Sequence, residues 1–259
     1  VKGGTGAIIE GLESTLRDQI ELGCLLDRVQ IRERGQRREY LLTFADQRQV
    51  VADHLILAMP FTSLRKVKLD LPLPRTLRRF INEVDLGKNE KLIAGFDTPV
   101  WRSEAIFTES LWSDDDYLIA WDISQRHAPE QSAALTFFFG GERSRILSER
   151  PPTALLERYL RGLEPIIPGV SRAHNGALTS SHWQWRSAQG AYVNYRPGQL
   201  TAFGEWLYIE ADDPAEQQLC AVDNLLFAGE QLSDAYYGFM EGGAQTGYLA
   251  AQSVLKRIR

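Results

Sequence analysis

The C-terminal stretch Asn224–Leu255 constrains the fold of this chain more than any other part of the sequence. It opens with a short apolar run, Asn224–Phe227, which predicts a buried strand. This run ends in Ala228, Gly229 and Glu230, and a helical pattern then extends from Gly238–Glu241 to about Arg257. The C-terminus is therefore predicted to form a strand, a loop and a long helix.

Glycines fill the first turns of this predicted helix, although each interior glycine costs about 1 kcal/mol relative to alanine. So unfavourable a choice indicates that another group approaches the helix backbone closely. The predicted flat packing face consists of Gly243, Gly247, Ala250 and Ala251. The free N–H groups and partial positive charge of a helix N-terminus suit an electron-rich ligand. The same pattern also fits three elements that only pack tightly together.

Composition and charge exclude several classes of function. The 259 residues suffice for one large or two small domains, and the net charge of −5 argues against a nucleic-acid partner. No apolar run reaches the roughly 18–20 residues that span a bilayer. Cys24 and Cys220 have neither disulfide nor metal-site spacing, so we expect buried free thiols and no metal site. Because the sequence starts at Val1, inside a predicted loop, we expect that Val1 is not the natural N-terminus.

Hydrophobic spacing along the rest of the chain predicts a mixed α/β fold with additional α+β character. The predicted helices are Ala7–Leu22, Thr76–Val84 and Pro151–Leu163. The predicted strands are Leu25–Arg32, Glu39–Phe44, Val50–Ala52, Leu55–Met59, Trp112–Asp122 and Ala133–Gly141.

The C-terminal motifs FAGE, YGFMEGGAQTG and the following Ala-Ala pair resemble the flavin-binding signature of the flavin-containing amine oxidases. That family includes monoamine oxidases, L-amino acid oxidases and polyamine oxidases. The resemblance implies that Gly229 and Glu230 lie against the ribityl–phosphate part of FAD. It also implies that the helix start, Gly238, Phe239, Met240 and Glu241, faces the N1–C2=O edge of the flavin ring. A helix N-terminus would stabilise the negative charge of reduced flavin.

Two further segments carry the resemblance into the first half of the chain. Val29-Gln30-Ile31 matches a family strand whose valine contacts adenine through its backbone, although a core valine would look the same. The segment Leu86–Trp101 resembles the family segment whose lysine holds a water against flavin N5, and this match nominates Lys91. The alternatives are a solvent-facing lysine, since lysine is usually exposed, and a misalignment with Lys88.

Ser180–Gly198 resembles the family segment with a tryptophan, then Gly-x-Tyr, then Pro-Gly. Trp183 matches the tryptophan and is placed with the cofactor-binding residues. Tyr192 and Phe239 would form two walls of an aromatic cage above the flavin, where the π faces suit an amine. Monoamine oxidases have a tyrosine at the Phe239 position. They also have a flavin-tethering cysteine where this sequence has Ala191, so we expect non-covalent FAD.

The nucleotide-binding motif of the family is absent from this sequence, because no GxGxxG follows a strand. The resemblance therefore implies the C-terminal part of a two-domain, FAD-linked fold. Residues 1–70 and 186–259 would belong to the FAD-binding domain, and residues 71–185 would form a substrate domain with a mixed sheet and helices. A split or processed enzyme, a fragment and a degenerate paralogue all remain open. We expect a second chain that supplies the missing unit, because the exposed sheet edge would be unstable alone.

The resemblance implies an oxidase of amines or L-amino acids that transfers hydride from substrate Cα–H to flavin N5 and reduces O₂ to H₂O₂. The alternatives are a flavin desaturase or dehydrogenase with another acceptor, and a non-catalytic subunit that keeps the fold. The FAGE form and the missing cysteine favour amino acids slightly, but neither Arg102 nor Arg186 matches a carboxylate-binding position. A homo-oligomer is compatible with the sequence.

Overall fold

The structure, a computed structural model, describes residues 4–35, 37–102, 110–114, 117–126, 132–183, 188–213 and 215–258. Helices and mixed sheets alternate along these residues, which confirms the predicted α/β class. Two hydrophobic clusters form the interior. One joins residues from the two ends of the chain, such as Val29 and Phe227, and the other joins residues between Leu92 and Ala173.

The N-terminal part consists of two helices, a four-stranded sheet and a short parallel strand outside that sheet. Its elements are α1 (Gly6–Leu16), β1 (Leu26–Arg34), β2 (Arg37–Phe44), β3 (Gln49–Ala52), β4 (Leu55–Leu57), α2 (Phe61–Leu64) and β5 (Lys68–Asp70). The sheet has the order β3-β2-β1-β5, with β1 parallel to β5. The prediction of one helix to Leu22 was wrong: a 3₁₀ turn follows Leu16, and α1 buries none of its residues.

The middle part is built on a five-stranded antiparallel sheet with the order β11-β7-β10-β9-β8. Its elements are α3 (Arg75–Glu83), β6 (Asp85–Gly87), β7 (Asn89–Phe96), β8 (Ser110–Trp112), β9 (Ile119–Asp122), β10 (Ala133–Gly140), α4 (Ile146–Glu149), α5 (Pro152–Leu163), α6 (Val170–Ala173) and β11 (His174–Ser180). Leu92, Ala94 and Phe96 of β7 and the apolar side of α5 belong to the second hydrophobic cluster.

The strand predicted over Trp112–Asp122 is two strands in the structure. β8 pairs antiparallel with β9, so the chain must reverse direction between them. Ser113 and Asp114, which follow β8, are residue types that favour turns. Strand β11 was not predicted, because its sequence HNGALTS has little apolar alternation.

The C-terminal part returns to the first hydrophobic cluster. Its elements are β12 (Ala191–Asn194), α7 (Gln199–Phe203), β13 (Ala221–Val222), β14 (Leu225–Phe227) and α8 (Met240–Ile258), so the predicted terminal strand and helix are present. Strand β14 lies between β13 and β4 and is parallel to β4, while β12 pairs with β6. Within the described ranges, β4 has β14 as its one neighbour.

Two sequence-based expectations concern the whole chain. In the described part of the chain, no helix has the length and apolar character to cross a membrane. Both cysteines are free there, and Cys220 is fully buried. Cys24 is only half-buried, contrary to expectation, and the guanidinium of Arg48 lies 3.0 Å from its sulfur.

Candidate functional site

One cavity of about 310 Å³ brings together three of the residues nominated from the sequence. Lys91 reaches it from β7, Tyr192 from β12, and Trp183 from the segment after β11. The rest of its lining is Asn89, Glu90, Phe138, Gly190 and Ala191. Residues far apart in the sequence therefore share one cavity at the edge of the middle sheet.

The alternation of β7 places Lys91 on the sheet face opposite the hydrophobic cluster. Lys91 is half-buried and pairs with Phe138 of β10. Its ammonium lies 5.8 Å from the ring centroid of Trp121, within range of a cation–π contact. Lys88 is exposed, and its Nζ lies 2.7 Å from an oxygen of Glu142. Of the two lysines, Lys88 is thus the one in a solvent-exposed ion pair.

Glu90 fastens the segment that carries Trp183 to the strand that carries Lys91. Its side chain is 5% exposed. Ser181 Oγ donates to Glu90 Oε2 over 2.6 Å and accepts the N–H of Lys91 over 2.7 Å. The N–H of Trp183 donates to the same carboxylate oxygen over 3.3 Å. Sequence reasoning missed Glu90, although its buried phase in the alternation of β7 was a usable signal.

Close backbone packing fixes the position of Tyr192. The preceding Gly190 has φ +144°, and a Cβ there would lie 2.6 Å from Leu86 Cβ. Only glycine therefore allows β12 to pair so closely with β6. The Tyr192 ring is 46% exposed, and a Cβ on Gly238 would lie 3.5 Å from its Cδ2. The structure thus brings Tyr192 beside the loop that leads into α8.

The end of β14 is held by hydrogen bonds from its neighbours. Gly229 has φ +141°, and its N–H donates to Thr246 Oγ1 over 2.9 Å. The two oxygens of Glu230 accept the backbone N–H groups of Val193 and Gly238, each over 2.7 Å. Burial raises the pKa of Glu230 above its ordinary value, and these two hydrogen bonds offset part of that rise.

The start of α8 presents its side chains to solvent. Phe239 is 69% exposed, and Met240 and Glu241 are also exposed. The first N–H groups of a helix have no intrahelical acceptor, so this end of α8 can receive an electron-rich group.

Of the packing face predicted for α8, Ala250 is buried, but the prediction was wrong for Gly243, Gly247 and the exposed Ala251. The buried residues are Gly242, Thr246 and Ala250, whereas a Cβ on Gly243 or Gly247 would meet nothing within 4 Å. A Cβ on Gly242 would lie 2.4 Å from the carbonyl oxygen of Tyr236. The group that approaches the helix backbone closely is therefore the preceding loop of the same chain.

The remaining nominated residues lie away from this cavity or outside the described ranges. Val29 is fully buried and pairs with Leu42 of β2 and Leu69 of β5. Arg102 forms a partly buried ion pair, with its Nε 2.7 Å from Asp122 Oδ2. Arg186 lies outside the described residues. No cluster of three or more His, Cys, Asp or Glu side chains that could bind a metal occurs among the residues that the structure describes.

Comparisons with known sequences identify a protein family. The sequence model described as "Flavin containing amine oxidoreductase" matches residues 1–255. Human amine oxidase (flavin-containing) B is 24% identical over 255 residues, which are 98% of this chain and 46% of that protein. The enzyme of the same name from Sus scrofa is 25% identical over 256 residues, again 98% of this chain and 46% of the relative. The chain thus spans about half the length of these curated relatives.

Solved structures show the same fold. Cyclohexylamine oxidase from Brevibacterium oxydans IH-35A superposes with a TM-score of 0.77 at 22% identity, covering 95% of this chain and 51% of that one. Wild-type putrescine oxidase bound to putrescine gives a TM-score of 0.78 at 19% identity, covering 98% of this chain and 53% of that one. Since the family match extends over nearly all of the sequence, this chain belongs to the flavin-containing amine oxidoreductases.

Proposed function

We propose that this chain is the part of an FAD-dependent amine oxidase that carries the helix facing the flavin and the sheet facing the substrate. The observation that supports this most is the shared cavity of Lys91, Trp183 and Tyr192. Long-range pairing of β6 with β12 and of β7 with β11 is needed to build it. The family match implies a flavin cofactor.

The residues present fit a flavin. The open N-terminus of α8, at Met240 and Glu241, offers N–H groups to an electron-rich ring edge, and Gly229 and Glu230 lie beside it. Ala191 has no nucleophilic atom, so we propose that FAD is bound without a covalent link. When bound, FAD supplies N5 as the acceptor of the substrate hydride, so that the amine becomes an imine and O₂ is finally reduced to H₂O₂.

The side chains of this chain would orient the amine and keep bulk water away. Tyr192 and Phe239 offer aromatic faces to a neutral or cationic amine, and Trp183 lines the cavity of Lys91. The Lys91 ammonium would hold a water molecule at the reacting edge, as a donor poised for the negative charge that forms there. Glu90 and Ser181 keep the backbone of Lys91 in place.

We propose an amine rather than an amino acid as substrate. The guanidinium of Arg102, one of the two arginines considered for a substrate carboxylate, already bonds to Asp122 and Ser124 and is therefore not free to bind one. The names of cyclohexylamine oxidase and putrescine oxidase among the structural neighbours also support amines. Steady-state rates on a panel of amines and L-amino acids test this, and activity confined to the amino acids would contradict it.

The proposed function also requires a nucleotide-binding unit that the described residues do not contain. The apolar side of α1 is uncovered, with Ile9 59% exposed, and β4 has a single neighbour among the described strands. Both features suit docking of the unit that contains GxGxxG, which we propose is supplied by a second chain. Native and denaturing mass measurements of the purified flavoprotein test this point, and a single chain that binds FAD would contradict it.

The decisive experiment on function replaces Lys91 by methionine. In an oxidase, the rate of flavin reoxidation by O₂ should fall by about a hundredfold, because the donor at the reacting edge is lost. Lys88→Met is the matched control and should leave that rate unchanged, since Lys88 pairs with Glu142. Reoxidation that is equally fast in Lys91→Met would indicate a dehydrogenase with another acceptor.

The absorption spectrum of the purified protein, before and after acid precipitation, tests the cofactor. A flavin spectrum that passes into the supernatant would support non-covalent FAD. Colour that stays in the pellet would contradict the interpretation of Ala191. A protein that stays colourless after incubation with FAD would favour a non-catalytic subunit.

A further inference from the structure

We propose that Glu230 is a positioning residue that fixes the distance between the strand of Tyr192 and the loop of Phe239. Its two oxygens accept the N–H groups of Val193 and Gly238 at equal distances of 2.7 Å. Each of these N–H groups belongs to the residue next to one of the two proposed aromatic walls. A single carboxylate thus joins both sides of the site.

The backbone that carries Glu230 is itself held on both sides. The N–H of the preceding Gly229 donates to Thr246 Oγ1 of α8 over 2.9 Å. The side-chain amide of the following Gln231, which is buried, donates to the carbonyl of Met59 over 3.1 Å. The carboxylate therefore projects from a fixed base, so its bonds can set the positions of the more exposed segments around it.

The two segments that Glu230 joins also touch each other. A Cβ on Gly238 would stand 3.5 Å from the Tyr192 ring, so the loop backbone packs against that ring. Gly238 has φ +82°, a conformation that glycine adopts without strain. The ring contact and the two hydrogen bonds form a closed arrangement of Tyr192, Val193, Glu230 and Gly238.

The choice of glutamate follows from its hydrogen-bonding groups. Two N–H donors need two acceptors, and a carboxylate offers two oxygens and no donor. Glutamine has the same shape but one acceptor oxygen, and its NH₂ group would face one of the N–H donors. The role is additional to the cofactor contact that the family resemblance implies for Glu230, because both oxygens already accept hydrogen bonds from the protein backbone. It depends on the proposed function only where Tyr192 and Phe239 are treated as walls of the flavin site.

The test is amide hydrogen exchange in the flavin-loaded protein that contains this chain, resolved at Val193 and Gly238. In Glu230→Gln we expect at least one of the two amides to exchange about tenfold to a hundredfold faster, because a charge-assisted hydrogen bond is lost. In Glu230→Leu both amides should become faster. Glu205→Gln, at an exposed position, is the matched control and should leave both unchanged.

A second measurement separates positioning from general stability. The amides of β14 should keep their exchange rates in Glu230→Gln, and KM for an amine should rise more than kcat falls, since the walls are displaced. Unchanged exchange at Val193 and Gly238 in both variants would overturn the proposal, even if flavin affinity decreased. Faster exchange throughout β14 and α8 would also overturn it. The absorption spectrum tests flavin binding separately, so failure of the proposed function can be told from failure of this one.

Discussion

Two regions of the molecule take a carboxylate out of solvent, fully at Asp122 and partly at Glu230, and its pKa shifts in opposite directions. In the middle sheet, Asp122 accepts hydrogen bonds from Trp101, Arg102 and Ser124. Burial by itself raises the pKa of Asp122, but these bonds outweigh it and lower the pKa to about 2. At the end of β14, Glu230 accepts hydrogen bonds from two neutral backbone N–H groups, and burial raises its pKa.

The difference shows what the two regions do. A cation and several donors compensate the charge of Asp122, so we interpret it as a residue that stabilises the fold, bonded to Trp101 of the second hydrophobic cluster. Glu230 accepts only two neutral backbone N–H groups, and one of them, from Gly238, lies next to the exposed start of α8. Carboxylates whose pKa is raised by burial are candidates for functional sites, whereas ion-paired ones often stabilise the fold.

The largest effect on stability is expected when Asp122 is replaced. Asp122→Ala should lower the free energy of unfolding by about 3–5 kcal/mol, because it leaves the partly buried charge of Arg102 unpaired. Urea denaturation of the flavoprotein measures this. Glu83→Ala breaks an exposed ion pair with Arg79 and should change little. Equal effects of Asp122→Ala and Glu83→Ala would show that Asp122 contributes no more to stability than an exposed ion pair does.

The next largest effect is the pH dependence of the stability that Asp122 contributes. Because the pKa of Asp122 in the folded protein is about 2 and its ordinary value is 3.8, about 2 kcal/mol of stability should be lost as pH falls from about 4 to about 2. The difference in unfolding free energy between wild type and Asp122→Asn isolates this contribution. A difference that stays constant over this range would contradict the lowered pKa.

A third prediction tests whether close packing between α8 and the loop that precedes it contributes to stability. Gly242→Ala should destabilise the protein by about 2 kcal/mol, because its Cβ would stand 2.4 Å from the carbonyl of Tyr236. Gly243→Ala, the neighbouring control, has open space and should stabilise α8 by about 0.5–1 kcal/mol through helix propensity. Thermal denaturation of both variants decides the matter. If Gly243→Ala were the more harmful, another group would have to cover that face of α8.

The smallest effect is the pH dependence of Glu230, with the sign opposite to that of Asp122. A raised pKa in the folded protein means that the folded state binds the proton more tightly than the unfolded chain does. The stability of wild type relative to Glu230→Gln should therefore fall as pH rises through the raised pKa. Denaturation curves at several pH values measure this slope, and a rise instead would show that Glu230 is compensated like Asp122.

The sequence predicted the elements of this protein better than their contacts. The apolar run before Ala228 and the helical spacing after Gly238 both depend on neighbours within a few residues. These patterns predicted β14 and α8. Motifs nominated Lys91, Trp183 and Tyr192, and the structure places them around one cavity.

By itself, the sequence determined the class of fold and the family, because periodicity and motifs are local properties of the chain. Only the tertiary structure decided which side chains meet. Glu230 and Val193 are 37 positions apart, and Glu90 and Ser181 are 91 apart. It also decided that Gly242, rather than Gly243, packs against the preceding loop. The physical reason is that helical and strand periods fix a face only to within about one residue, whereas a hydrogen bond or a close contact depends on the position of single atoms.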